Sequence, residues 1–139
     1  MIARDLMTPN PATVTPQSSV AEAWDLMREL DVRHVPVVQD GALVGMLSDR
    51  DLAYLDVARL FTAEGADALR RELATQVIKV MRSDVIFVEP DTDVSDVVEL
   101  LIENKIGAIP VAHSDTREVI GIVSYIDALR ALQDLLEEQ

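Results

Sequence analysis

Gly45-Met46-Leu47-Ser48-Asp49-Arg50-Asp51 and Gly121-Ile122-Val123-Ser124-Tyr125-Ile126-Asp127 state one pattern twice: glycine, two apolar residues, serine, two variable residues, aspartate. The apolar pair reads as the end of a buried strand. The serine stands where the N-cap of a following helix belongs, near the positive end of its dipole. Three residues on, the aspartate falls on the first turn, on the serine's side. A carboxylate so placed can accept both hydrogen bonds of a ribose diol, and the hydroxyl and helix N–H groups suit a phosphate. One copy alone would read equally well as an ordinary helix start, where Ser and Asp are favoured for capping. Two copies after matched strands point to a ligand site in which capping is a second role for the same residues.

Working outward, the repeat extends over most of the chain. Met7 and Met81, Pro16 and Pro90, Val20 and Val94, Leu26 and Leu100, and Pro36 and Pro110 are each 74 positions apart. From the glycines onward the spacing becomes 76, and two extra residues in a turn around Ser114–Glu118 account for the change. Turns tolerate such insertions most easily.

Each copy reads in the same order. An extended segment ends in proline (Ala12–Pro16, then Val85–Pro90). An amphipathic helix comes second, with Ser19 and Glu22 as a capping box in the first copy and Asp93 as N-cap in the second. Two strands come next: Val35–Val38 and Leu43–Leu47 around Asp40-Gly41, then Ile109–Ala112 and Val119–Val123. A second helix opens at Ser48 or Ser124. The order strand-helix-strand-strand-helix predicts an α/β (α+β) unit of roughly 50 residues, too small for a strong core by itself. Two such units packed sheet to sheet about a pseudo-twofold axis would bury the remaining apolar faces. The expected division is repeat one over 1–55, a helical connector broken near Gly65 over 56–77, and repeat two over 78–139.

Composition narrows the function classes. The 139 residues are 49% hydrophobic but only 4% aromatic, so the core must be aliphatic. Cysteine is absent, which excludes a disulfide framework or a thiolate metal site. The two histidines, His34 and His113, are far apart in sequence and lack metal-ligand spacing. A formal charge of −13 opposes contact with nucleic-acid backbones, though not a local cationic pocket for one small anion. No apolar run approaches a membrane span, and no signal peptide is visible at Met1–Leu6, so a cytoplasmic setting is the expectation. There is no Gly-x-Ser-x-Gly elbow and no Walker phosphate loop. A binding module is therefore expected rather than an enzyme.

The paired repeats, the opening Asp5-Leu6-Met7-Thr8, the run Arg33-His34-Val35-Pro36-Val37 and the motif Ser48-Asp49-Arg50-Asp51 together resemble tandem cystathionine-β-synthase (CBS) domains, over nearly the whole chain. The resemblance implies a free-standing Bateman module without catalytic residues, a regulatory sensor of AMP, ADP, ATP or S-adenosylmethionine that pairs into a homodimer and acts on a separate, unidentified protein. It implies that Asp51 and Asp127 hold ribose, with Ser48 and Ser124 toward phosphate. Segments Thr8–Ala12 and Arg82–Ile86 would line base pockets, and backbone groups near Val35-Pro36 and Ile109-Pro110 would meet the adenine edge. The alternative is a constitutive dimerisation or interaction module with vestigial clefts.

The copies differ in charge. Arg33, His34 and Arg50 surround the first motif, whereas the aligned residues of the second are Gly107, Ala108 and Ile126. An anionic ligand should prefer the Ser48–Asp51 site. Arg33 and Arg50 also read as plain surface charges or ion-pair members, and His34 as a partly buried histidine. Tyr125 reads as a packed aromatic or a base-stacking ring, and Trp24 as a core or dimer contact. The C-terminal stripe Ala128, Leu129, Leu132 and Leu136 reads either as packing on its own domain or as part of a dimer interface. Pro36 and Pro110 would leave sheet hydrogen-bonding groups unpaired, open to a base edge.

Overall fold

The computed structural model describes residues 1–53, 55 and 61–138. Its elements run α1 (Ala3–Leu6), β1 (Thr8–Pro9), α2 (Val20–Leu30), β2 (His34–Gln39), β3 (Ala42–Ser48), a 3-10 turn (Asp49–Leu52) and α3 (Ala63–Leu73). A second 3-10 turn (Val77–Lys79), α4 (Val94–Asn104), β4 (Ala108–Ala112), β5 (Val119–Ser124) and α5 (Tyr125–Glu137) complete the order. The expected α/β class is the one found. The chain forms two compact units: Ala12–Asp40 with Val44–Val85 (the Asp51 unit), and Met1–Pro11 with Gly41–Leu43 and Ile86–Gln139 (the Asp127 unit).

Strands β2 and β3 form a hairpin whose two loop residues, Asp40 (φ 52°) and Gly41 (φ 81°), lie in the left-handed region that a tight two-residue turn requires. The α2 helix starts at Ser19, whose hydroxyl accepts the Glu22 N–H at 3.1 Å, and ends at Asp31 in the left-handed conformation. In the Asp127 unit, α4 starts at Asp93 and ends at Lys105, also left-handed. Asp31 and Lys105 occupy equivalent positions, so the repeat reaches the backbone conformation of the helix ends.

Two bonds at the sheet edge repeat in both units. Val14 N–H donates to the Pro36 carbonyl (3.1 Å) and Val38 N–H to the Val14 carbonyl (2.8 Å); Val88, Pro110 and Ala112 do the same at 3.0 and 2.9 Å. These two extended segments make single parallel bridges, Val14↔Val37 and Val88↔Val111, rather than full strands. On the far edge the partner comes from elsewhere in the chain. Met46 and Arg82 exchange N–H···O bonds of 2.9 Å each, although Arg82 opens the second sequence repeat. Likewise Thr8, from the start of the first repeat, pairs with Ile122 on β5.

That crossing explains the glycine of the repeated motif. A Cβ at Gly45 would overlap the Met81 side chain and stand 3.1 Å from the Arg82 carbonyl; a Cβ at Gly121 would overlap Met7. Glycine leaves room for each methionine to cross the strand, most tightly at Gly121, where the overlap reaches down the Met7 side chain to its Cβ. Behind these strands lie two aliphatic cores: Val14, Val20, Ala23, Met27, Val35, Val37, Leu47, Leu52 and Val77 in one unit, and Ala3, Leu6, Val88, Val97, Leu101, Ile109, Val111 and Val123 in the other. Trp24 packs half-buried against the first core.

The structure refines three helical expectations. Ser48 leads into a 3-10 turn over Asp49–Leu52, whereas Ser124 opens a full α-helix. In the connector, helix α3 begins just after the extended Thr62, which caps it and accepts the Gly65 N–H at 3.0 Å, so Gly65 lies in the first helical turn beside this helix boundary. The connector's Val57, Ala58 and Leu60 lie outside the described residues. In α5, Ala128 and Ala131 meet the core, but Leu129, Leu132 and Leu136 are at least half exposed, so of this stripe only Ala128 packs on its own domain.

Substituting Gly121→Ala should destabilise the protein by about 1–3 kcal/mol in urea unfolding, the usual cost of an overpacked site. The double variant Gly121→Ala/Met7→Ala should show a favourable coupling of at least about 0.5 kcal/mol. Strictly additive losses would disprove the Met7 contact as the reason for the glycine.

Candidate functional site

In both units the serine–aspartate pair closes on itself. Ser48 N–H and Oγ reach Asp51 Oδ2 at 2.9 and 3.1 Å; Ser124 N–H and Oγ reach Asp127 Oδ2 at the same two distances. The Ser124 Oγ also accepts the Asp127 N–H at 3.2 Å, completing a capping box. The capping role is therefore real. It engages one oxygen of each carboxylate, and an oxygen accepting two hydrogen bonds is near its capacity. The second oxygen, Oδ1, is what remains for other partners.

At Oδ1 the units part. Asp51 Oδ1 lies 3.5 Å from Arg82 Nε, with the aspartate side chain 13% exposed and the arginine 62% exposed. The residue equivalent to Arg82 is Thr8, and among the described residues Asp127 has no cationic partner. Sequence reasoning placed Arg82 beside a base pocket but missed that it joins the Asp51 cluster. The signal would have been the strand crossing, which no local pattern encodes.

Beside this pair, Asp49 N–H donates to the Arg33 carbonyl at 2.9 Å, so β2 and the turn after β3 are locked at the point where Arg33 and His34 emerge. Tyr125 N–H and the Gly107 carbonyl repeat the bond at 3.0 Å without the side-chain charges. Arg33 and Arg50 are exposed and form no ion pair among the described residues. His34 is half-buried, and burial pushes its imidazole below the ordinary value; the Asp49 and Asp51 carboxylates pull it up, while Arg50 and Arg33 push it further down. All four charges are thus felt at one ring. Tyr125, at the start of α5, is 44% exposed.

The prolines do what their lack of an N–H predicts. Continuing the parallel ladder one step past Val14–Pro36 would carry an N–H from residue 36 to the Ala12 carbonyl, and proline has none. The same step past Val88–Pro110 would have reached the Ile86 carbonyl. Neither carbonyl accepts a backbone hydrogen bond among the described residues. Val35, Pro36, Ile109 and Pro110 themselves are buried. The proposed base-pocket residues therefore divide by unit: Ala12, Val35, Pro36 and Arg82 accompany Asp51, whereas Thr8, Ile86, Ile109 and Pro110 accompany Asp127. Among the described residues no group of three or more His, Cys, Asp or Glu side chains is placed to hold a metal ion, and no helix is long and apolar enough to cross a membrane.

Comparison with known proteins places these features in a family context. The family model described as CBS domain matches residues 3–58 and 77–134. The CBS domain-containing protein YhcV of Bacillus subtilis is 34% identical over 89% of this chain and 80% of its own length. CBSX2, chloroplastic, of Arabidopsis thaliana is 31% identical, covering 96% of this chain and 64% of the relative. A crystal structure of CBSX2 in complex with AMP superposes with a TM-score of 0.79 at 31% identity, over 96% of this chain and 97% of that one.

The depressed imidazole makes stability depend on pH. Well above about 6.5 histidine is neutral whether the chain is folded or not. As the pH falls through that value, the unfolded chain takes up a proton that folded His34 resists, so stability drops until His34 itself protonates. Urea unfolding between pH 7.5 and 5.5 should show this loss in the wild-type chain and a flatter profile in His34→Gln. An unchanged slope would contradict the burial effect.

Proposed function

Because this chain belongs to the CBS domain family, as a tandem pair of its units, we propose that it is a regulatory module that binds an adenosyl ligand (AMP, ADP, ATP or S-adenosylmethionine) and acts on a separate partner. The observation that carries this reading is the same triad in each unit: a half-engaged carboxylate, a helix or turn N-terminus, and a sheet carbonyl left open by proline. A ribose diol can donate to Asp51 or Asp127. An adenine amino group can donate to the Ala12 or Ile86 carbonyl, beside Val35-Pro36 or Ile109-Pro110. These positions are separately fixed by backbone bonding, so little ordering is required on binding. The AMP complex of CBSX2, at 31% identity, supports the ligand class.

Charge divides the two sites. Arg33, Arg50, Arg82 and His34 gather around Ser48 and Asp51 and suit one or more phosphates. The Ser124–Asp127 site, with Gly107, Ala108 and Ile126 in the matching places, suits a nucleoside end with less negative charge. The net charge of −13 makes that cationic cluster the favoured landing point for an anion. We assign no reaction to either site, since its carboxylates and hydroxyls serve capping and recognition. Signalling would result if the ligand prefers one arrangement of the module over another, which shifts the population toward it.

A second reading, a constitutive dimerisation module, draws on one observation: Ile126, Leu129, Leu132 and Leu136 of α5 are 40–59% exposed. Calorimetric titration with AMP, ADP, ATP, NAD and S-adenosylmethionine separates the two. The sensor reading expects saturable binding of a phosphorylated adenosyl ligand that weakens about tenfold or more in Asp51→Asn, the loss typical of a charged hydrogen-bonding partner, and much less in Asp127→Asn. Loss mainly in Asp127→Asn would reverse the assignment of the principal site. A stable dimer that binds none of the five would favour the second reading.

A further inference from the structure

We propose that Arg82 determines selectivity at the Asp51 site, holding the carboxylate until a phosphate group draws the guanidinium away, so that nucleotides are favoured over unphosphorylated nucleosides. This rests on the nucleotide reading above and adds to it a residue that discriminates by charge. Three features of Arg82 support it. Its backbone is fixed by two 2.9 Å bonds to Met46 on β3, so the side chain always starts from the same point. Its guanidinium meets Asp51 through a single contact, Nε to Oδ1 at 3.5 Å, and the side chain is 62% exposed. A contact that long and that exposed is weak enough to exchange. Finally, Asp51 Oδ2 is already engaged by Ser48, so Oδ1, the oxygen that Arg82 faces, is the one a sugar hydroxyl must win.

The consequence is a competition with a chemical rule. A nucleoside that takes Oδ1 displaces the guanidinium and offers it nothing in return. A nucleotide displaces it too, but brings a phosphate to which the planar fork can bond in two places. The Asp127 unit supplies the internal contrast: Thr8 stands where Arg82 would, and Asp127 faces no cation among the described residues. Selection by this route therefore belongs to one site only.

The test compares AMP with adenosine by calorimetry in the Asp127→Asn background, which weakens the second site, with Arg82 either retained or changed to Gln. The Arg82 side chain takes no part in the sheet bonds to Met46, and thermal unfolding checks that Arg82→Gln still folds. Losing one charged partner should weaken AMP about tenfold while adenosine binds equally or more tightly, so the AMP-to-adenosine preference should shrink at least tenfold. Arg82→Lys, which keeps charge but not the fork, should fall between. An unchanged preference, or equal weakening of both ligands, would overturn the role of Arg82 while leaving the nucleotide reading intact. Binding of neither ligand with Arg82 in place would overturn that reading and this inference together.

Discussion

Two backbone bonds between Met46 and Arg82 decide much of what this molecule can do. They place a segment from the start of the second repeat on the outer strand of the first repeat's hairpin, where it brings Met81 across Gly45 and Arg82 against Asp51. The matching bridge of Thr8 with Ile122 does the same for the other unit and brings Met7 across Gly121. A repeat of roughly 50 residues has a thin core of its own. The borrowed segment adds apolar surface to each unit, through Met81 in one and Met7 in the other.

In the proposed sensor, each serine–aspartate pair would serve stability and recognition together. Capping at a helix N-terminus contributes on the order of 1 kcal/mol. It also fixes the carboxylate rotamer, because Oδ2 is tied to the serine N–H and hydroxyl. The group left facing outward is then a single positioned oxygen rather than a freely rotating carboxylate. Burial of the His34 ring and the Arg33–Asp49 backbone bond set the surrounding charges in the same way in the Asp51 unit. The Asp127 unit keeps the frame and lacks the charges, with Gly107, Ala108 and Ile126 in the matching places.

Most of the fold was legible because it is written twice. Period-two strands, N-caps at Ser19, Asp93 and Ser124, and the Asp40-Gly41 turn are local signals, and each reappears where expected. The open carbonyls opposite Pro36 and Pro110 were foreseeable for the same reason, since proline's missing donor is a property of the residue alone. The rest depends on contacts between distant segments. Nothing local to Arg82 says that it will meet Asp51 rather than Asp127, and the glycine before each serine has no reason until a methionine from another segment crosses it. Gly65 in isolation reads as a breaker, and the helix boundary falls beside it, at Thr62, whose cap makes a glycine harmless in the first turn of α3. The 3-10 turn after Ser48 has the same opening letters as α5, so local pattern could not separate them.

The most direct test of a phosphate-preferring Asp51 site is an amide NMR titration of the whole chain with AMP. The account predicts that the earliest shifts appear at Ala12, Arg33, His34, Ser48–Asp51 and Arg82, with Ser124–Asp127 responding only at higher concentration. First movement at Thr8, Ile86 and Ser124–Asp127, or no movement in either group, would contradict it.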